Sequence, residues 1–194
     1  MPVLRRGFKT WCENVARGYR RELSLSSIAP LDPRELAKHL GITIWTPADI
    51  PSFSSRDVYH LTVAAKESWS AATLRNGESS LIIINNGHAL TRQNNSIAHE
   101  IGHIVLKHEP AQMYLTPDGL MMMSEYNLDH EEEATWFAGA ILLPRDALLH
   151  ASAQGMTAKA AAEHFGVSPA VYQMRRNRTG VDIQLSRRRG VWAP

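Results

Sequence analysis

His99 and His103 stand four residues apart, with Glu100 directly after the first, in the stretch SIAHEIGHIVLKHE (96–109). Residues four apart on an α-helix share one face, one above the other, so the two imidazoles can hold a single metal ion. Zinc takes nitrogen, sulfur and oxygen ligands in a tetrahedron, and a catalytic site uses three protein ligands and leaves the fourth position open. Glu100 lies slightly round the helix from the pair, where it can accept a proton from a metal-activated water. Two histidines on one face can equally be a surface pair, so a third ligand decides the reading. The next helical stretch begins HEEEA (130–134) and offers Glu131, Glu132 and Glu133. Acidic residues also favour a helix N-terminus without any metal. Helical spacing does not choose among the three, because 131 and 133 face different directions. Two histidines from one helix and a glutamate from a following helix make the ligand set of thermolysin-type peptidases. Motif, helix and glutamate occur here in that order, which favours a metal site.

Several elements must position these groups. The spacing of Phe8, Trp11, Cys12, Val15 and Tyr19 predicts a basic helix over 8–23. A second helix is expected in LDPRELAKHLGI, with Asp32 as N-cap, Pro33 at the first helical position and Gly41 ending it. ITIW reads as a short strand. SWSAATL and SSLIIIN read as a hairpin about Asn76-Gly77, and SSLIIIN reads either as an edge strand that can take an extended substrate or as a buried core strand. A helix over 91–108 then carries Ile97, Ile101, Ile104 and Val105 as its apolar stripe beside the two histidines. His108 is expected off the ligand face, capping the C-terminal end of that helix as a cation. Residues 109–127 have no clean period and read as a long loop, with Met113, Leu115, Leu120, Met121, Met122 and Met123 giving it an apolar face that could serve as a lid. LDHEEEATWFAGAILLP is the third-ligand helix, stopped by Pro144, and RDALLHASAQG a short helix after it. MTAKAAAEHFGVSPAVYQMRRNRTG reads as a helix-turn-helix, with Gly166 in the turn, Ser168 as N-cap and Pro169 at the first helical position.

Composition sets the frame. The chain has 194 residues, 44% hydrophobic and 21% charged, enough for one medium domain with a real core. Net charge is only +2, but arginines crowd both ends. Arg175, Arg176 and Arg178 are the candidate nucleic-acid contacts, while the N-terminal part of their helix, PAVY, is apolar and poorly suited to reading bases. Three segments are expected: a basic N-terminal helical segment (1–30), a metallopeptidase domain (31–152) and a C-terminal helix-turn-helix-like segment with a basic tail (153–194). Cys12 is the only cysteine, so no intramolecular disulfide forms, which fits a reducing compartment. No stretch has signal-peptide or membrane-span character, and a cytoplasmic protein without membrane partners is expected.

RQNNSIAHEIGHIVLKH followed by EEEATWFAGAILLP resembles the ImmA/IrrE family of zinc metallopeptidases. SSLIIINN is similar to that family's strand ending in asparagine, and AAEHFGVSPAVYQMR to its C-terminal helical segment. The resemblance covers roughly 30–180. Asn95, Thr135 and Leu143 depart from the residues common in the family, and none is a proposed ligand. The resemblance implies an α+β, zincin-like core with a small sheet, an active-site helix and a third-ligand helix. It implies zinc as cofactor, His99 and His103 as ligands, Glu100 as catalytic base, and Glu133, the glutamate directly before the alanine, as third ligand. Tyr126, His130 and Arg145 are polar candidates for stabilising an oxyanion near that segment. The implied activity is zinc-dependent cleavage of one protein partner, a helix-turn-helix repressor encoded nearby, which derepresses defence, phage or stress genes, with single-stranded DNA as a trigger suited to the basic ends. The alternative is a DNA-binding or toxin–antitoxin regulatory subunit whose zinc site is structural.

Overall fold

The computed structural model describes residues 4–109, 113–115, 121–123 and 127–190, with side chains left out at 113–115, 121–123 and 188–190. The architecture is α+β. Helix α1 (Phe8–Glu22) is followed by α2 (Pro33–His39), strand β1 (Thr43–Trp45) and the short helix α3 (Ser55–Tyr59). Next come strands β2 (Ala71–Asn76) and β3 (Ser79–Ile84) and the long helix α4 (Leu90–Val105). Asp32 caps α2 by accepting from the Arg34 N–H, and Pro33 takes the first turn, as its fixed φ and missing N–H favour.

β2 and β3 form the expected hairpin. Asn76 pairs with Ser79, so the two-residue loop is Gly77-Glu78. Gly77 takes a φ of 59°, which the primed hairpin turns require and which glycine adopts without a Cβ clash. β1 adds to the other side of β3 in parallel, giving the order β1-β3-β2. β3 is therefore the central strand, which selects the core reading of SSLIIIN over the edge one. Its run Leu81, Ile82, Ile83, Ile84 suits a strand with neighbours on both sides, and Ile82 and Ile84 are buried. β1 and β2 are the edge strands, each with β3 as its one neighbour among the described residues, and β2 is the longer of the two.

The stretch expected to be one long loop contains two short strands, β4 (Met113–Leu115) and β5 (Met121–Met123), paired antiparallel. Residues 110–112, 116–120 and 124–126, Tyr126 and Leu120 among them, lie outside the described residues, as do the side chains of the expected lid. After it come α5 (Leu128–Leu142), α6 (Arg145–Ala153), α7 (Ala158–His164), α8 (Pro169–Thr179) and α9 (Val181–Gly190). α5 runs through the middle of the molecule: every residue from Trp136 to Leu142 is buried. It ends where Pro144 forces Leu143 out of helical geometry, to φ −134° and ψ 73°.

Two apolar clusters share α4 and α5. The first joins Phe8, Cys12 and Ala16 of α1 to Leu36, Ile82, Ile84, Ile97, Ile101, Phe137 and Ile141. The second joins Ala98, Ala138 and Leu142 to Leu148, Ala161, Phe165, Val167, Tyr172 and Val181. Burying each large apolar side chain stabilises the fold by about 1.5–3 kcal/mol, so α4 and α5 are held from both flanks. Burial also raises the Cys12 thiol pKa to about 12, which leaves it a packing residue. Among the described residues no helix is long and apolar enough to cross a membrane.

Candidate metal centre

α4 presents His99 and His103 on one face, with ring centroids 4.8 Å apart. Their Nε2 atoms converge to 3.0 Å. The carboxylate that meets them is Glu131: Oε2 lies 3.0 Å from His99 Nε2 and Oε1 3.3 Å from His103 Nε2. Atoms bound about 2.0–2.1 Å from a tetrahedral zinc lie roughly 3.3 Å from one another, so the separations and the two-nitrogen, one-oxygen donor set fit that ion. The three side chains are 18–29% exposed, which leaves the cluster open to solvent on one side. Hydrogen bonds from His103 and His99 hold the Glu131 carboxyl well below its usual range, against the opposing effect of burial.

Glu131 reaches the pair because of how α4 and α5 touch. Gly102 has no side chain, and a Cβ placed there would lie 3.2 Å from Ala134 Cα and 3.2 Å from Phe137 Cδ1. Ala134 is thus the point of closest approach. Glu131, three residues earlier and so on the same face of α5, is carried to the histidines one turn along. Glu133 is rotated about 200° from Glu131 on the helix wheel. It is buried, and it accepts from Arg5 Nε at 2.7 Å and Nη2 at 3.2 Å. The structure therefore brings Glu131, and not the expected Glu133, to the histidine pair as the candidate third ligand. Glu132 faces outward and takes an ion pair from Arg178 at 2.7 Å.

His108, expected off the ligand face as a cationic C-terminal cap, is buried beside the cluster instead. α4 closes in a Schellman turn: the His108 N–H donates to the His103 carbonyl at 3.0 Å and the Lys107 N–H to Ile104 at 3.1 Å. Lys107 takes the left-handed position, φ 56°. That reversal folds His108 back beneath His103, with the two Nδ1 atoms 3.0 Å apart. His108 Nε2 lies 3.1 Å from Glu133 Oε2. Burial pushes the His108 pKa down, opposed by its hydrogen bond to Glu133. His130 stacks flat on its other side, centroids 4.1 Å apart and planes within 2°.

β2 supplies two further groups that the sequence reading missed. Arg75 donates to the His103 carbonyl at 2.7 Å and to the His108 carbonyl at 2.9 Å, fastening the Schellman turn to the sheet. Thr73 Oγ1 donates to Glu100 Oε2 at 2.5 Å. In β2 the period-2 alternation puts Thr73 and Arg75 on one face, a signal that was legible once the strand was placed over α4. At the other end of α4, Arg92 donates to Glu67 and to Ser70 Oγ, at 2.7 and 3.0 Å. Buried Asn85 donates to the carbonyls of Leu61, Lys66 and Trp69. Together they tie the 61–70 segment to the start of the active-site helix.

The three arginines named as nucleic-acid contacts have other partners. Arg175 is 1% exposed, which removes it as a surface contact. It donates to Glu13 at 2.6 Å and to the Leu143 carbonyl, and it lies over the Trp136 ring. Arg176 pairs with Asp182 and Arg178 with Glu132. Arg145 opens α6, where its backbone N–H donates to Glu13. Tyr172 is buried, and Trp11 stacks on Phe8.

The family model described as the IrrE N-terminal-like domain, a peptidase M78 model, matches residues 56–177. That span holds α4, α5 and all three candidate ligands. No curated protein matches the chain.

Proposed function

We propose, for a chain that belongs to the ImmA/IrrE (M78) family of metallopeptidases, that it uses zinc and cleaves a protein partner held in extended form along β2. His99, His103 and Glu131 would hold the ion. A zinc bound there supplies Lewis acidity, polarising a substrate carbonyl and making water a stronger nucleophile at neutral pH.

The observation that carries this reading is the hydrogen bond that joins Glu100, the residue after the candidate ligand His99, to the edge strand β2. The Glu100 carboxylate accepts from Thr73 Oγ1 of β2, so the general base and the strand that would hold substrate are fixed to one another. One Glu100 oxygen is engaged by Thr73, and the other can accept the proton from the attacking water and later return it to the leaving amine. An extended peptide laid along β2 would be held by main-chain hydrogen bonds, which suit many sequences, while side-chain contacts beyond the edge would select among them. Leu74, 55% exposed on β2, is an apolar contact for such a segment.

A helix-turn-helix repressor encoded beside this chain is the substrate we propose, with single-stranded DNA as its trigger. The family membership supports the first. The second rests on the exposed arginines outside α8, such as Arg6 and Arg21. The test is to incubate the zinc-loaded protein with the neighbouring repressor, with and without single-stranded DNA, alongside Glu100→Gln. Cleavage by the wild type and none by the variant is the expected result. An intact repressor under every condition removes it as the substrate, and cleavage at equal rate without DNA removes the trigger.

A further inference from the structure

Arg5, Glu133, His108 and His103 form a continuous hydrogen-bonded chain that ends at the candidate metal centre. In the structure each link is short: 2.7 and 3.2 Å from Arg5 to Glu133, 3.1 Å from Glu133 to His108, and 3.0 Å from His108 to His103. His103 turns its Nε2 toward His99 and Glu131. A neutral histidine that offers Nε2 as a ligand carries its proton on Nδ1. That proton points at His108 Nδ1, which must therefore accept. His108 then carries its own proton on Nε2 and donates it to Glu133 Oε2. Glu133 has only acceptors to offer, and the Arg5 fork satisfies both its oxygens. One arrangement of protons satisfies every link, and in it His103 presents a lone pair to the metal.

We propose that His108, Glu133 and Arg5 are positioning residues that fix the tautomer and ring orientation of His103, so that the segment ahead of α1 sets the metal affinity of the centre. Arg5 lies outside the 56–177 span that the family model matches. Outer groups that orient a metal-bound histidine raise its basicity and restrict its motion, and losing one weakens metal binding by about 10–100-fold. The chain also accounts for a buried glutamate beside the ligand helix that does not itself reach the metal. This inference rests on the metal-centre reading above.

The test measures zinc affinity of the full-length protein by competition with a chromophoric chelator. His108→Ala and Glu133→Gln are each expected to bind zinc about 10–100-fold more weakly than wild type. His108→Gln, whose amide can accept from His103 and donate to Glu133, is expected to recover much of the loss. Arg5→Ala is the variant least able to disturb folding, because its side chain is 68% exposed. It is expected to weaken zinc binding several-fold while the metal-free protein stays folded with a modestly lower melting temperature, since Glu133 keeps His108 as a partner. Nitrogen-15 spectra of the zinc-loaded imidazoles supply an independent readout: His103 should be protonated at Nδ1 and His108 at Nε2. Wild-type affinity in Arg5→Ala and in Glu133→Gln, or the opposite tautomers, would overturn the chain. A wild type that binds no zinc would instead overturn the metal-centre reading.

Discussion

Glu100 is the residue whose chemistry can be isolated most cleanly. Its replacement by glutamine keeps the shape and the acceptor for Thr73 but cannot take a proton. General-base assistance contributes about 10²–10⁴-fold, so Glu100→Gln should lose peptidase activity by that factor while binding zinc as wild type does, measured by cleavage rate and metal content on the same preparation. Retained cleavage near the wild-type rate would exclude it as the base. At this scale the sequence was legible in one place and ambiguous in another. His99, Glu100 and His103 stand out because a spacing of four on a helix is a local geometric fact. The choice between Glu131 and Glu133 depends on which face of α5 meets α4. That is settled by a long-range contact, the Gly102–Ala134 approach, which no window on α5 alone contains. His108 was obscured in the same way. Its spacing puts it off the ligand face, and only the left-handed turn at Lys107 brings it back.

At the scale of elements, the site depends on the ends and crossings of α4. A side chain at Gly102 must push α5 away, since even a Cβ would sit 3.2 Å from Ala134 Cα. Gly102→Val is expected to destabilise the fold by about 1–3 kcal/mol, as overpacking does. It should weaken zinc binding as well, because Glu131 moves with α5. Denaturant melts and a zinc titration check both effects, and a variant that is destabilised but binds zinc normally would contradict the coupling. Lys107 makes the opposite case. A non-glycine residue in the left-handed region costs roughly 1–2 kcal/mol, and glycine there loses about 0.5–1 kcal/mol in chain entropy. Lys107→Gly should therefore be neutral to about 1 kcal/mol more stable with the centre intact, and a clear loss in thermal melting would contradict that balance. The hairpin at 71–84 was legible from its alternation and turn residues, yet its order in the sheet was not. β1 is only three residues long and joins β3 from 35 residues or more earlier in the chain, a pairing that no local pattern announces. β4 and β5 escaped notice for a related reason: three-residue strands are too short to show a period.

At the scale of the molecule, the C-terminal helices are fastened to the N-terminal one through a buried ion pair. Arg175 on α8 meets Glu13 on α1 at 2.6 Å, with Gly139 making room: a Cβ there would lie 2.6 Å from Arg175 Cδ. Arg175 is 1% exposed and Glu13 14%, so removing the arginine leaves a mostly buried carboxylate without its cation and costs up to about 3–5 kcal/mol. Arg175→Met should lower stability by that order, and adding Glu13→Gln should recover part of it. Chemical denaturation of the two variants checks this, and an Arg175→Met protein as stable as wild type would contradict the role. The helix-turn-helix itself was legible from Ser168, Pro169 and Gly166. Its burden of packing was not, because arginines at a helix end read as surface charge until their partners are placed.

If His99, His103 and Glu131 hold the metal, the zinc content of wild type, Glu131→Ala and Glu133→Ala will separate them, measured by elemental analysis after saturation and removal of free metal. About one zinc per chain in the wild type, the value for a mononuclear site, retained in Glu133→Ala after saturation and lost in Glu131→Ala, is the expected result. A full zinc in Glu131→Ala with none in Glu133→Ala would contradict it.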